Sequence, residues 1–388
     1  MSKPPEIFQL KYCRIVVLCG FLVFFTSCNS HESIPPLAVQ TSKTNICLDD
    51  QQPQLVSSYK YDDGRKFAAI KINAEQSQIY AVSSGGLFGD GVLSQHLMPN
   101  LSFIVSRTIG SVSLFATVFD SGANWIASAS ADKPELPTVH QPSYSPGSAI
   151  FRGITLWDLS DNRQINNSDK AVRYYSYLAF APNGHELIAI DDMTFDYIQV
   201  PSLVPLGTEI DYVPNNNWWM AINYDQSGEY VAKAGSNGVI RIDKIERKNQ
   251  GQYSSRSIVL ETPFKDSDPT YKTLATTFDP SRRTIVVLRT DGLFQYSLST
   301  GNKARLGEGS QGDYALTTFH PRGDVIAIAS QEGVRIFNLV SHKWTSISMV
   351  ATYALDFSAD GRYMVLGNLN GSIQLYDFCK EKLTYASQ

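Results

Sequence analysis

One pattern of apolar and polar positions returns along the chain from about residue 70 to its end. An alternating apolar run closes on a large side chain, a Pro, Asp or Gly turn follows, and a second apolar run leads through glycine into another alternating stretch. The closing residues are Ile72, Phe119, Phe180, Tyr224, Phe278, Phe319 and Phe357. In the last copy Phe357 precedes Ser358-Ala359-Asp360-Gly361, then Tyr363-Met364-Val365-Leu366, then Gly371 and Ser372-Ile373-Gln374-Leu375-Tyr376-Asp377. The copies recur at about 40 residues, stretched in three places. Short strands joined by tight turns at that interval predict an all-β chain of four-stranded antiparallel sheets, repeated radially. Each sheet exposes an apolar face that only a neighbouring copy can cover.

Trp157-Asp158, Ile242-Asp243 and Tyr376-Asp377 end the third run of their copies. With the seven-fold recurrence, they give a chain that resembles the WD40 family of β-propellers from about residue 55 onward. The resemblance implies a seven-bladed β-propeller occupying residues 47–388. The family's Gly-His pair is missing, so its buried His–Asp network is not expected. Closing such a ring requires one blade built from both chain ends, or sheet edges would stay open. Leu55-Val56-Ser57-Ser58-Tyr59-Lys60-Tyr61 alternates suitably to be the outer strand of the last blade.

The N-terminus follows a different pattern. Lys3, Lys11 and Arg14 precede an uncharged apolar run from Ile15 to Phe25, and Thr26-Ser27-Cys28 follow. That is the layout of a secretory signal, with an apolar core too short for a comfortable membrane span. It resembles a bacterial lipoprotein signal, although Phe25 stands where Leu or Val is usual. The resemblance implies that residues 1–27 are removed and that Cys28 carries palmitate-type acyl chains, several of which anchor stably without a spanning helix. Asn29 occupies the place where aspartate marks inner-membrane retention in Gram-negative lipoproteins, which implies the outer membrane of the cell envelope. An ordinary cleaved signal with a soluble product and an uncleaved anchor are the alternatives. Residues 28–46, with Pro35-Pro36 and several Ser and Thr, read as a flexible stalk.

Composition narrows the function. Apolar residues make up 43% of the chain, including 20 Tyr and 19 Phe, which is ample core material. Removing the signal takes three of the 33 basic and one of the 37 acidic residues, leaving 30 against 36. A net charge of −6 argues against nucleic acid as a partner. Cys13 and Cys19 leave with the signal and Cys28 is lipidated, so Cys47 and Cys379 remain. In an oxidising compartment they are expected to form a disulfide, contributing about 5 kcal/mol at most. Two unpaired buried thiols are the alternative.

No catalytic constellation stands out. None of His31, His96, His140, His185, His320 and His342 lies in a metal-binding or nucleophile-activating pattern. His185 and His320 follow a closing aromatic, a position expected to be a solvated loop. Asp62-Asp63 and Asp191-Asp192 read as turn residues rather than calcium ligands, and the glycine-rich stretch from Gly85 to Gly91 reads as a hairpin bend. No metal or cofactor is therefore expected. The better candidates are long connections: 132–149, with four prolines, His140 and Tyr144; 246–256; and 262–272. Tyr175, Trp218, Trp219, Tyr314 and Tyr353 precede their closing residues by four to six positions. Ring symmetry would gather them around one opening as a partner-binding patch, unless the position simply buries its side chain between blades. The expectation is a membrane-tethered protein-binding propeller, a scaffold or capture module. The alternative is a small-molecule binder or enzyme using the central channel, which convergent carboxylates at the axis would favour.

Overall fold

The computed structural model describes residues 53–84, 88–113, 116–129, 153–166, 175–191, 194–211, 219–247, 253–261, 272–281, 283–311 and 315–379. The signal and stalk, Cys28, Cys47, His140, Tyr144, Trp218 and Tyr314 lie outside them, as does most of the connections 132–149 and 262–272.

Seven four-stranded antiparallel sheets form a seven-bladed β-propeller. The innermost strands are Lys66–Ile72, Thr117–Phe119, Tyr177–Phe180, Trp219–Tyr224, Thr273–Phe278, Ala315–Phe319 and Thr352–Phe357, here blades 1 to 7. Every one ends on the closing residue read from the sequence. Each innermost strand contacts its two neighbours, and the strand of blade 1 meets that of blade 7. The ring closes as expected, because Gln54–Lys60 pairs with Ser372–Asp377 as the outer strand of blade 7. A register shift between Leu55 and Ser57 leaves Val56 as the extra residue.

Strand alternation explains the core. Successive side chains point to opposite faces, so each blade sends one set to the blade before it and the other to the blade after. Seven apolar clusters result, one at each seam. The second strands of blades 3 and 6, Glu186–Ile190 and Val325–Ser330, are buried at every position. This is why they read as unbroken apolar runs rather than as alternation.

The turn after each innermost strand repeats a local device. Its first residue is Asn73, Asp120, Ala181, Asp225, Asp279, His320 or Ser358. Asp120 Oδ1 accepts from the Asn124 and Trp125 N–H groups at 2.7 Å each, and Asp225 Oδ1 from those of Glu229 and Tyr230 at 3.0 and 2.9 Å. Asn73 Oδ1 does the same for Ser77 and Gln78 at 2.9 Å each. Such side chains substitute for a backbone acceptor in a tight turn. The turns also lock neighbouring blades together. His320 Nε2 lies 2.8 Å from the Gly361 carbonyl of blade 7. A Cβ on Gly361, whose φ is +76°, would stand 2.2 Å from that nitrogen.

Two expectations need correction. His320 is 1% exposed, not solvated, because its ring packs against Phe357 and Phe378 with centroids 5.3 and 5.9 Å away. His185 is exposed. The stretch 246–256 is largely strand rather than a long connection. Ile240–Arg247 and Tyr253–Glu261 run on as a hairpin in which Glu246 faces Ser254 and Arg247 faces Tyr253.

Candidate functional site

The axial channel was the place to look for chemistry. Its cavity of about 280 Å³ is lined by residues from all seven innermost strands. Most are small or aliphatic: Ala68, Ala69, Leu178, Ala221, Leu274 and Ala315 among them. Its one carboxylate is Asp356, whose oxygens accept from Lys71 Nζ and the Ile72 N–H at 2.9 Å each. Burial pushes the Asp356 carboxyl above its ordinary range, against the pull of Lys71. Among the described residues the lining thus offers one carboxylate, paired with Lys71, rather than a convergent set.

The predicted aromatic patch does not form a surface where it can be seen. Tyr175, Trp219 and Tyr353 are 5%, 1% and 6% exposed. Trp219 packs edge-on against Phe195 at 5.7 Å and donates from Nε1 to the Asp211 carbonyl at 3.1 Å. Tyr175 donates to Asp196 Oδ2 at 2.8 Å, and the Tyr353 hydroxyl accepts from Gln331 Nε2 at 3.2 Å. This position lies at the entrance of a seam, where two apolar sheet faces meet, so it buries its ring and satisfies its polar tip inside. All three are buried rather than gathered as an exposed patch, although Tyr353 also lines the axial cavity.

A recess the sequence reading missed lies at the mouth where the innermost strands end. It has a volume of about 440 Å³ and spans blades 2 to 4. Its apolar part comes from the closing residues Phe119, Phe180 and Tyr224 with Pro182, all half-buried. Exposed Ser121 and Gln226 stand at its rim. Ser121 Oγ donates to the Pro182 carbonyl at 2.8 Å, and the Tyr224 hydroxyl donates to Glu186 Oε1 at 2.6 Å. The signal for it was present: of the seven turn-opening residues only Ala181 lacks a polar side chain. An apolar methyl where the other turns carry a hydrogen-bonding group leaves room and removes a polar lip. The recess can take one or two apolar side chains, flanked by hydroxyl and amide groups.

A third constellation lies buried between blades 3 and 4. Lys233 Nζ sits 2.5 Å from Asp243 Oδ2, 3.2 Å from Glu209 Oε2 and 3.6 Å from Asp211 Oδ2, and 3.7 Å from the centroid of the Phe195 ring. Arg241 pairs with Asp211, and the Tyr197 hydroxyl donates to Glu209 at 3.1 Å. Burial, helped by the Glu209 charge, raises the Tyr197 pKa strongly. The three carboxylates are close enough to bracket a metal ion, but the ammonium of Lys233 already holds the place between them. The arrangement is a structural ion cluster. Of the acidic pairs, Asp63 is held below the usual carboxylate range by its bond to Arg65, and Asp191 Oδ1 accepts from the Thr194 N–H at 2.8 Å; Asp192 lies outside the described residues.

No family model matches the chain, and none of the curated proteins matches it in sequence.

Proposed function

We propose that this chain is a membrane-tethered protein-binding propeller of the WD40 type, acting as a scaffold or capture module in a bacterial envelope, and that it binds rather than catalyses. The observation that carries this reading is the recess of blades 2 to 4. It combines a half-buried aromatic floor with a polar rim, the make-up of a pocket for a partner's anchoring side chain. The axial lining supports it from the other side, since among the described residues its one carboxylate is paired with Lys71. Trp157-Asp158 and Tyr376-Asp377 end the third strands of blades 2 and 7, in keeping with the WD40 resemblance, whereas Ile242-Asp243 lies within that of blade 4. The lipid on Cys28 and the cleavage before it rest on the signal-like N-terminus.

The disulfide belongs to the same proposal. Cys379 lies two residues beyond the third strand of blade 7. Cys47 precedes the outer strand paired to it. A bond between them would lock the blade that joins the chain ends.

Cross-linking and pull-down from native membranes tests the reading, comparing wild type, Cys28→Ala and Ser121→Arg with Gln226→Arg. One dominant protein should be captured by the wild type. It should leave the membrane fraction with Cys28→Ala, and its capture should fall about tenfold in the double arginine variant, the equivalent of about 1.4 kcal/mol. Equal capture by the arginine variant would take the recess out of the interface. Absence of any protein partner would favour a channel ligand.

A further inference from the structure

Among the described residues, ten large apolar side chains stand exposed, and they are not scattered evenly. Six of them, Leu55, Val56, Leu97, Phe103, Ile104 and Val105, belong to two stretches at the junction of blades 7 and 1. The first stretch is the outer strand of blade 7, Gln54–Lys60; the second is the hairpin end that opens the outer strand of blade 1, Ser102–Ser113. The two stretches touch. Ser57 Oγ donates to the Pro99 carbonyl at 2.6 Å, and the rings of Tyr59 and Phe103 stack with centroids 6.3 Å apart. A register shift at Ile104, like that at Val56, places the extra residue of each bulged strand in this region.

The charge of the two stretches differs from that of the chain. Acidic residues outnumber basic ones overall, 37 to 33, yet residues 54–60 and 97–107 contain no Asp or Glu and carry Lys60 and Arg107. Asp62 and Asp63 lie exposed just beyond Lys60, so the patch itself is apolar and uncharged with charges of both signs at its border; an apolar surface of this kind suits the interface of a bilayer. Outer strands form the rim of a propeller, so this patch lies on the rim and not on either ring face.

We propose that this rim patch rests on the lipid bilayer to which Cys28 is attached, so that the ring stands edge-on to the membrane. The inference rests on the lipoprotein reading for its occupant. The chain enters the ring at Gln54, within the patch itself, and 25 residues separate that point from Cys28. A polar coil of that length spans about 28 Å, so the tether holds the patch at high local concentration beside the bilayer. Apolar and electrostatic contacts of the patch and its border then fix an orientation. Edge-on docking leaves both faces free, including the recess and the side from which the 132–149 connection departs.

Vesicles of phosphatidylethanolamine and phosphatidylglycerol provide the test. A chain beginning at Asn29 keeps every strand of the ring and Cys47 but lacks the signal and the lipidated cysteine. It should float with these vesicles, and Phe103→Glu with Ile104→Glu should lower the bound fraction about tenfold without changing thermal melting. In the full lipidated protein, brominated acyl chains should quench a fluorophore on Ile104→Cys and spare one on Val204→Cys, an exposed site on blade 3. No flotation together with equal quenching at the two sites would overturn the proposal. So would a dimer of the unlipidated chain, split by the double glutamate variant and indifferent to vesicles, which would assign the patch to a second copy. The lipoprotein reading fails separately, if mass analysis finds Cys28 without acyl chains; flotation of the unlipidated chain would still decide the patch.

Discussion

Two seams of the same ring are held by different physics. Between blades 5 and 6 the contact is apolar, made by residues such as Leu274, Leu288, Phe319, Ile326 and Phe337. Between blades 3 and 4 an apolar cluster of the same kind surrounds five charged side chains: Lys233, Arg241, Glu209, Asp211 and Asp243. The apolar seam gains from removing surface from water and tolerates any set of side chains that fills the space. The charged seam gains little net free energy from its ions, because desolvation offsets their attraction, but it fails badly when one partner is lost. The first kind of seam is forgiving; the second fixes one register of blade 4 against blade 3.

The largest test of that contrast is Lys233→Met. It leaves the buried carboxylates of Asp211 and Asp243 with Arg241 as the one nearby cation of the cluster and should lower stability by about 3–5 kcal/mol in urea unfolding. Adding Asp243→Leu should recover much of the loss, since the remaining charges can then pair. A small effect of the single change would show that water reaches the cluster. On the apolar seam, Ile326→Val removes one buried methylene and should cost about 0.5–1.5 kcal/mol. A cost like that of Lys233→Met would erase the distinction between the seams.

The smallest effect concerns a third seam, between blades 7 and 1. His96 is fully buried there, with Nε2 3.0 Å from the Tyr61 hydroxyl and Nδ1 3.2 Å from the Leu101 carbonyl. Burial lowers its pKa below the ordinary value. The folded state therefore binds fewer protons than the unfolded one, and this contribution to stability is present above about pH 6.5 and lost as the pH falls below it. Melting temperature should decline through that window, and His96→Gln should flatten the decline. An unchanged pH profile in the variant would transfer the effect to another group.

Much of the ring was legible in the sequence because its signals are local. A strand alternates or runs apolar according to whether one or both of its faces are covered, and Asp, Asn or Gly marks the turn that ends it. Those signals placed Phe119, Tyr224 and Phe357 at the ends of innermost strands and Leu55–Tyr61 in the closing blade. The recess was only half legible: Ala181 stands out once the seven turns are aligned, but its proximity to Phe119 of blade 2 and Tyr224 of blade 4 does not follow from that alignment.

What the sequence by itself determined is therefore the number of blades, the ends of their strands and the way the ring closes, all consequences of backbone period and turn chemistry. Tertiary structure alone decided which side chains meet. It buried His320 against Phe357 and Phe378, turned Trp219 into a seam, set Lys233 among carboxylates of two blades, and brought Ser57 and Tyr59 beside Pro99 and Phe103. The pattern of a single strand reports that a face will be covered, but not by which neighbour. That is set by the packing of distant segments, where geometry and desolvation act on residues far apart in the chain.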